Sequence, residues 1–136
     1  MKRSLLLIVL LVVAVSACGD DDTAGNGGET AELSVVLEDF SFSPDEFSVP
    51  AGSTVEVAAS NLGGINHSWA LVAEGVEFAS SDEVDESQII ATTGEVEIGQ
   101  SGAVSFTAPG AGTYQVVCTV SGHIEVGMTG TLTVTG

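Results

Sequence analysis

One stretch near the C-terminus decides the fold: Gly112-Thr113-Tyr114-Gln115-Val116-Val117-Cys118-Thr119-Val120-Ser121-Gly122-His123-Ile124-Glu125-Val126-Gly127-Met128-Thr129-Gly130-Thr131-Leu132-Thr133-Val134. Its two ends, Thr113–Cys118 and Gly130–Thr135, are rich in Val, Thr and aromatic residues and show no helical period, which is the signature of strands. Between them Cys118, His123 and Met128 follow one another with four residues in each gap. Fully extended chain would carry His123 ~16 Å from Cys118, at ~3.3 Å per residue, too far for the two to act together. The segment must therefore fold back, and Ser121-Gly122 is suited to turning it while Gly127 gives Met128 a flexible approach. Two strands joined by a loop that gathers three soft donor groups is the resulting picture.

Working outward, the same texture recurs. Candidate strands are Leu33–Leu37, Glu46–Val49, Thr54–Ser60, Ser68–Val72 and Ala103–Thr107 as well as the two above, with turn signals at 50–52, 61–64 and 109–112. About seven or eight short strands in ~100 residues argue for an all-β chain folded as an antiparallel sandwich or barrel. Core candidates are Phe40, Phe42, Phe47, Val55, Val57, Trp69, Leu71, Phe106, Tyr114, Val116, Leu132 and Val134. The region 74–98, acidic at Asp82-Glu83 and Asp85-Glu86, reads as a loop with one short helix.

The charge pattern divides the chain differently. Nineteen acidic side chains face two basic ones, for a formal charge of −17, and both cations, Lys2 and Arg3, lie in the first three positions. The apolar run Leu5 to Val15 that follows is about half of the ~20 residues a membrane span needs, so residues 1–17 read as an export signal. Val15-Ser16-Ala17-Cys18 resembles the bacterial lipobox, in which Cys18 is lipidated and becomes the first mature residue. Residues 18–32 are acidic and glycine-rich without a large apolar side chain, a flexible linker, and 33–136 form the folded domain. The expected location is thus outside the cell, lipid-anchored to the outer face of the bacterial membrane. Loss of the signal leaves a formal charge of −19. Nucleic acid is excluded as a partner, and a charged partner should present a basic face. An acidic surface kept for solubility or a saline habitat accounts for the charge equally well. Asp20 to Asp22 lack the rest of a calcium loop and read as linker charge.

Cysteine counting gives the sharpest chemical lead. If Cys18 is lipidated, Cys118 has no disulfide partner in an oxidising compartment. A thiolate, imidazoles and a thioether are the donor set of a blue-copper site, one Cys and two His with a weak axial Met. The chain holds two histidines, and the second, His67, stands at the head of the strand Ser68–Val72.

The segments Asn66-His67-Ser68-Trp69-Ala70-Leu71-Val72 and Gly112–Val134 resemble the two signature regions of the cupredoxins, in order, within Leu33 to Thr135. The four-residue spacers on both sides of His123 are similar to those of the auracyanin and sulfocyanin branches. The resemblance implies a Greek-key β-sandwich holding one type 1 copper per chain. It makes His67, Cys118 and His123 the strong ligands and Met128 the axial one, with Ser68, Val120 and Ser121 around them. It also implies that His123 passes the electron through an apolar surface formed by Gly63, Gly64, Ile65, Val126 and Gly127. Two positions depart from the family's habit. Ser68 stands where Asn usually ties the ligand loops together, and Ser121 stands where Pro is frequent, so that a backbone N–H near the thiolate is expected there.

The function expected is a membrane-tethered, monomeric one-electron carrier, not an enzyme, working between a donor and an acceptor of a respiratory or photosynthetic chain. A copper-buffering or copper-delivering protein is the alternative, and a metal-free adhesive domain a third reading. Multicopper oxidases and nitrite reductases need more histidines than the chain contains. A binuclear copper centre needs a second cysteine in the loop, where position 122 is Gly.

Overall fold

The computed structural model describes residues 28–136. The segment read as an export signal, Cys18 and the stretch read as a linker up to residue 27 lie outside the described residues. Nine strands are present among those described: β1 (Thr30–Glu38), β2 (Ser41–Ser43), β3 (Glu46–Pro50), β4 (Thr54–Asn61), β5 (His67–Val72), β6 (Ile89–Val96), β7 (Ser101–Thr107), β8 (Gly112–Val117) and β9 (Thr129–Thr135). They form two sheets, ordered β2-β1-β4-β7 and β3-β9-β8-β5-β6. The chain passes between the sheets repeatedly, which is the wiring of a Greek-key sandwich.

The expected strands are all present, and the structure adds two. β2 is a three-residue edge strand, and β6 occupies the part of 74–98 expected to be loop. The helix expected there is two single 3-10 turns, Ser81–Glu83 and Glu86–Gln88. β1 begins at Thr30, inside the stretch read as linker, because Thr30 pairs in parallel with Thr54.

Alternation decides which side chains go inside. In β4 the pattern is regular: Val55, Val57 and Ala59 are buried while Thr54, Glu56 and Ala58 face water. The inner faces meet in one core, where Trp69 stacks on Phe106 and takes the edge of Phe47, each with ring centroids 6.2 Å apart. β5 is buried along its whole length. Its inner face, Trp69 and Leu71, joins the main core, while Ala70 and Val72 on its outer face are covered by Phe78, Val76 and Val84 from the 74–88 segment. Gln115 pins that segment, accepting from Phe78 N–H at 2.8 Å and donating to its carbonyl at 3.0 Å. Phe40 departs from the expected core. It is 43% exposed and sits at the tip of the β1–β2 turn with φ of 66°.

Register places the site. β1 runs parallel to β4 with Leu37 opposite Asn61, so the Asp39-Phe40 turn lies at the same end as the 62–66 connection into β5. The loop between β8 and β9 opens at that end as well, and three separate connections converge there.

Candidate metal centre

The ligand loop is shaped by backbone before any metal is considered. Cys118 N–H donates to Met128 C=O at 3.2 Å and Met128 N–H to His123 C=O at 3.0 Å, so the loop closes on itself at the base of β8 and β9. His123 N–H donates to Val120 C=O at 3.1 Å. Gly122 and Gly127 take φ of 84° and 96°, a region that side chains disfavour, which explains glycine at both bends. The buried side chain of Asn61 shapes the facing loop, donating to Ile65 C=O and Val96 C=O and accepting from Gly63 N–H.

These loops bring His67, Cys118 and His123 together, their donor atoms all within 4.8 Å of one another and all three residues buried. His67 Nδ1 and His123 Nδ1 are 3.3 Å apart, and Cys118 Sγ is 3.3 Å from His123 Nδ1. Met128, fully buried, joins the same core cluster as Cys118. Burial pushes the Cys118 thiol above its ordinary range, opposed by N–H groups of Ser68 and Val120. Burial, and then the neighbouring His67, holds His123 below the usual histidine range, which leaves a ring nitrogen free to donate to a metal.

The surrounding residues divide from expectation in an informative way. Ser68 N–H donates to Cys118 Sγ at 3.3 Å, and its hydroxyl accepts from Thr119 N–H and lies 2.8 Å from Thr119 Oγ1. Serine thus links the two ligand loops in the place where the family usually has Asn. The Val120 N–H acts with that of Ser68 in favouring the thiolate, and Ser121 is exposed. Among the described residues the backbone N–H hydrogen-bonded to the sulfur is that of Ser68.

Four contributors escape the linear reading. Asp39 Oδ1 is 3.1 Å from His67 Nε2, and Phe40 sets its ring edge on His123 with centroids 5.2 Å apart. Thr119 holds Ser68. Ser81 grips the ligand loop from outside: its hydroxyl accepts from Gly122 N–H at 2.7 Å and donates to Glu125, whose second oxygen accepts from Ser81 N–H. Asp39 is drawn below the usual carboxylate range by its bond to His67 and by Gly64 N–H. Glu125 is lowered by backbone N–H and then by Ser81.

Two imidazoles and a thiol gathered in a buried pocket, with a thioether buried in the same cluster, fit copper chemically and differ from the all-oxygen donor sets that hard cations take. The profile of copper-binding proteins of the plastocyanin/azurin family matches residues 29–135. The chain belongs to that family of blue copper electron carriers, and His67, Cys118, His123 and Met128 form a typical type 1 copper site. Auracyanin-A of Chloroflexus aurantiacus is 32% identical over 142 residues, covering 88% of each chain. Auracyanin-B of the same organism is 33% identical over 124 residues, spanning 79% of this chain but about half, 52%, of its relative. The structure of reduced auracyanin from Roseiflexus castenholzii superposes with a TM-score of 0.71 at 29% identity, over 80% of this chain and all of that one.

Proposed function

We propose that the protein is an exported, lipid-anchored carrier of single electrons between redox proteins of a respiratory or photosynthetic chain. The observation that carries this reading is that the donors of His67, Cys118 and His123 already lie within 4.8 Å of one another in a buried pocket stitched by Ser68 and Thr119. Copper bound there supplies a one-electron couple, Cu(I)/Cu(II). A pocket held in one shape by both sheets changes little between the two charge states, which favours fast outer-sphere transfer over catalysis. No substrate has to enter, consistent with a carrier and not an enzyme.

His123 reaches the outside sparingly, being 6% exposed. Phe40, Ile65 and Val126 are exposed, Phe40 against His123 itself and Val126 in the ligand loop. An apolar surface lying over the ligand end gives a redox partner a close approach to the histidine edge. No helix of the described residues is long and apolar enough to cross a membrane. Attachment in this reading rests on residues 1–17 as export signal and on lipidation of Cys18, with the residues up to the start of β1 as tether.

Optical and paramagnetic resonance spectra of the copper-loaded protein, with voltammetry, test the assignment. A strong thiolate-to-copper visible band with fast reversible voltammetry is expected, and Cys118→Ser should abolish the band. Copper that is easily lost and shows no such band would instead mark a protein that buffers or delivers the metal.

A further inference from the structure

Asp39 stands 28 positions before His67 on a different strand connection, yet its carboxylate meets the imidazole at 3.1 Å. The same oxygen accepts Gly64 N–H at 2.8 Å, so the acid is fixed from the loop that leads into β5. The bond runs across Gly63. A Cβ at that position would collide with Asp39 Oδ1 and come within 2.8 Å of His67 Nε2. Gly63 is not at positive φ, so turn geometry does not require glycine there. The space taken by the aspartate–histidine contact does. Delivery of the acid is equally specific, since the neighbouring Phe40 is the one non-glycine residue at positive φ among the described residues.

We infer that Asp39 is a positioning residue of the copper centre, whose carboxylate fixes the orientation and tautomer of His67 and lowers the reduction potential of the site. A neutral imidazole carries one N–H. Placing it on Nε2, against the carboxylate, leaves the Nδ1 lone pair facing His123 and Cys118. The couple gains one electron and no proton, so a fixed negative charge beside a ligand favours the more positive, oxidised form. The Asp39 side chain is 48% exposed, and water and salt screen part of its charge. The orienting role does not depend on that screening.

This inference rests on His67 being a ligand, and the experiment separates the two. In the full copper-loaded protein Asp39→Asn keeps the shape and a hydrogen-bond acceptor but removes the charge, whereas Asp39→Ala removes both. Both variants should keep the visible thiolate band and the wild-type sheet signal in circular dichroism. Cu(II) affinity should fall about tenfold or more, as for other partners of metal-bound histidines. If Cu(I) affinity is unchanged, a tenfold loss for Cu(II) raises the potential by about 59 mV. Nitrogen-15 NMR of the metal-free proteins should show His67 as the Nε2–H tautomer in wild type and Asp39→Asn, and as a mixture in Asp39→Ala. Unmoved potentials in both variants, or an unmoved tautomer in Asp39→Ala, would overturn the inference. Loss of copper-band formation in wild type itself, or an intact band in His67→Ala, would overturn the ligand assignment instead.

Discussion

Phe40 occupies backbone space that glycine enters freely and aromatic residues rarely, at a cost of order 1–3 kcal/mol. What offsets it is the ring edge laid on His123. Phe40→Gly suits the same backbone, so it removes the ring without forcing the turn to change. Water then gains access to His123 and favours the more highly charged Cu(II), and voltammetry should record a lower potential than wild type. A potential that stays put or rises would refute this covering role. The contrast with the ligands shows what a linear reading can and cannot find. His67, Cys118, His123 and Met128 announce themselves by side-chain type and order, because metal binding restricts both. Asp39, Phe40, Thr119 and Ser81 are ordinary residue types whose importance comes only from position, and of the four only Phe40 stands out in the sequence, as a core candidate. The backbone N–H on the sulfur likewise comes from Ser68, on a strand fifty positions away in the chain.

At the scale of elements, the 74–88 segment serves as a buttress between the outer face of β5 and the ligand loop. Ser81 is its polar point of contact, taking Gly122 N–H at 2.7 Å and holding Glu125 through both its hydroxyl and its N–H, while Phe78 shares a buried cluster with Ile124 of the loop. Ser81→Ala should destabilise the fold by only about 1 kcal/mol, the net contribution of an ordinary hydrogen bond. It should release the loop, and transfer of copper to an external chelator should become several-fold faster; an unchanged rate would show that the loop holds its shape alone. This segment and β6 were hard to read because their apolar residues, Phe78, Ile89, Ala91 and Val96, do not alternate evenly. The β5–β6 register shifts between Ser68 and Ala70, so no clean period survives in the sequence. β8 shows the opposite case, where Tyr114, Val116 and Cys118 share parity and were legible at once. Tyr114 also donates to Gly110 C=O at 2.7 Å, and burial followed by the nearby Glu74 raises its pKa. A raised folded-state pKa contributes stability that is complete below the ordinary tyrosine value, ~10, and is lost as pH climbs through the raised one. Urea midpoints should therefore fall above about pH 10 in wild type and fall less steeply in Tyr114→Phe. Parallel curves for the two proteins would remove Tyr114 as the cause.

Across the whole molecule, one fact of composition governs the response to salt: no lysine or arginine occurs after Arg3. Among the described residues the one contact between oppositely ionisable groups is that of His67 with Asp39, so cohesion comes from the sandwich core and strand pairing. The acidic side chains repel one another without compensation, and added salt screens that repulsion within ~8 Å at physiological strength. Raising sodium chloride from low to physiological concentration should therefore raise the unfolding temperature of the metal-free protein. The same screening acts in the opposite direction on association. If the redox partner presents a basic face to the acidic surface around the apolar patch, stopped-flow electron-transfer rates should decline over the same range of salt. Docking through Phe40, Ile65 and Val126 alone would leave those rates flat or rising. Stability that climbs while transfer slows is the outcome that a single uncompensated charge excess produces, and a rate that is independent of salt would return the acidity to a role in solubility alone.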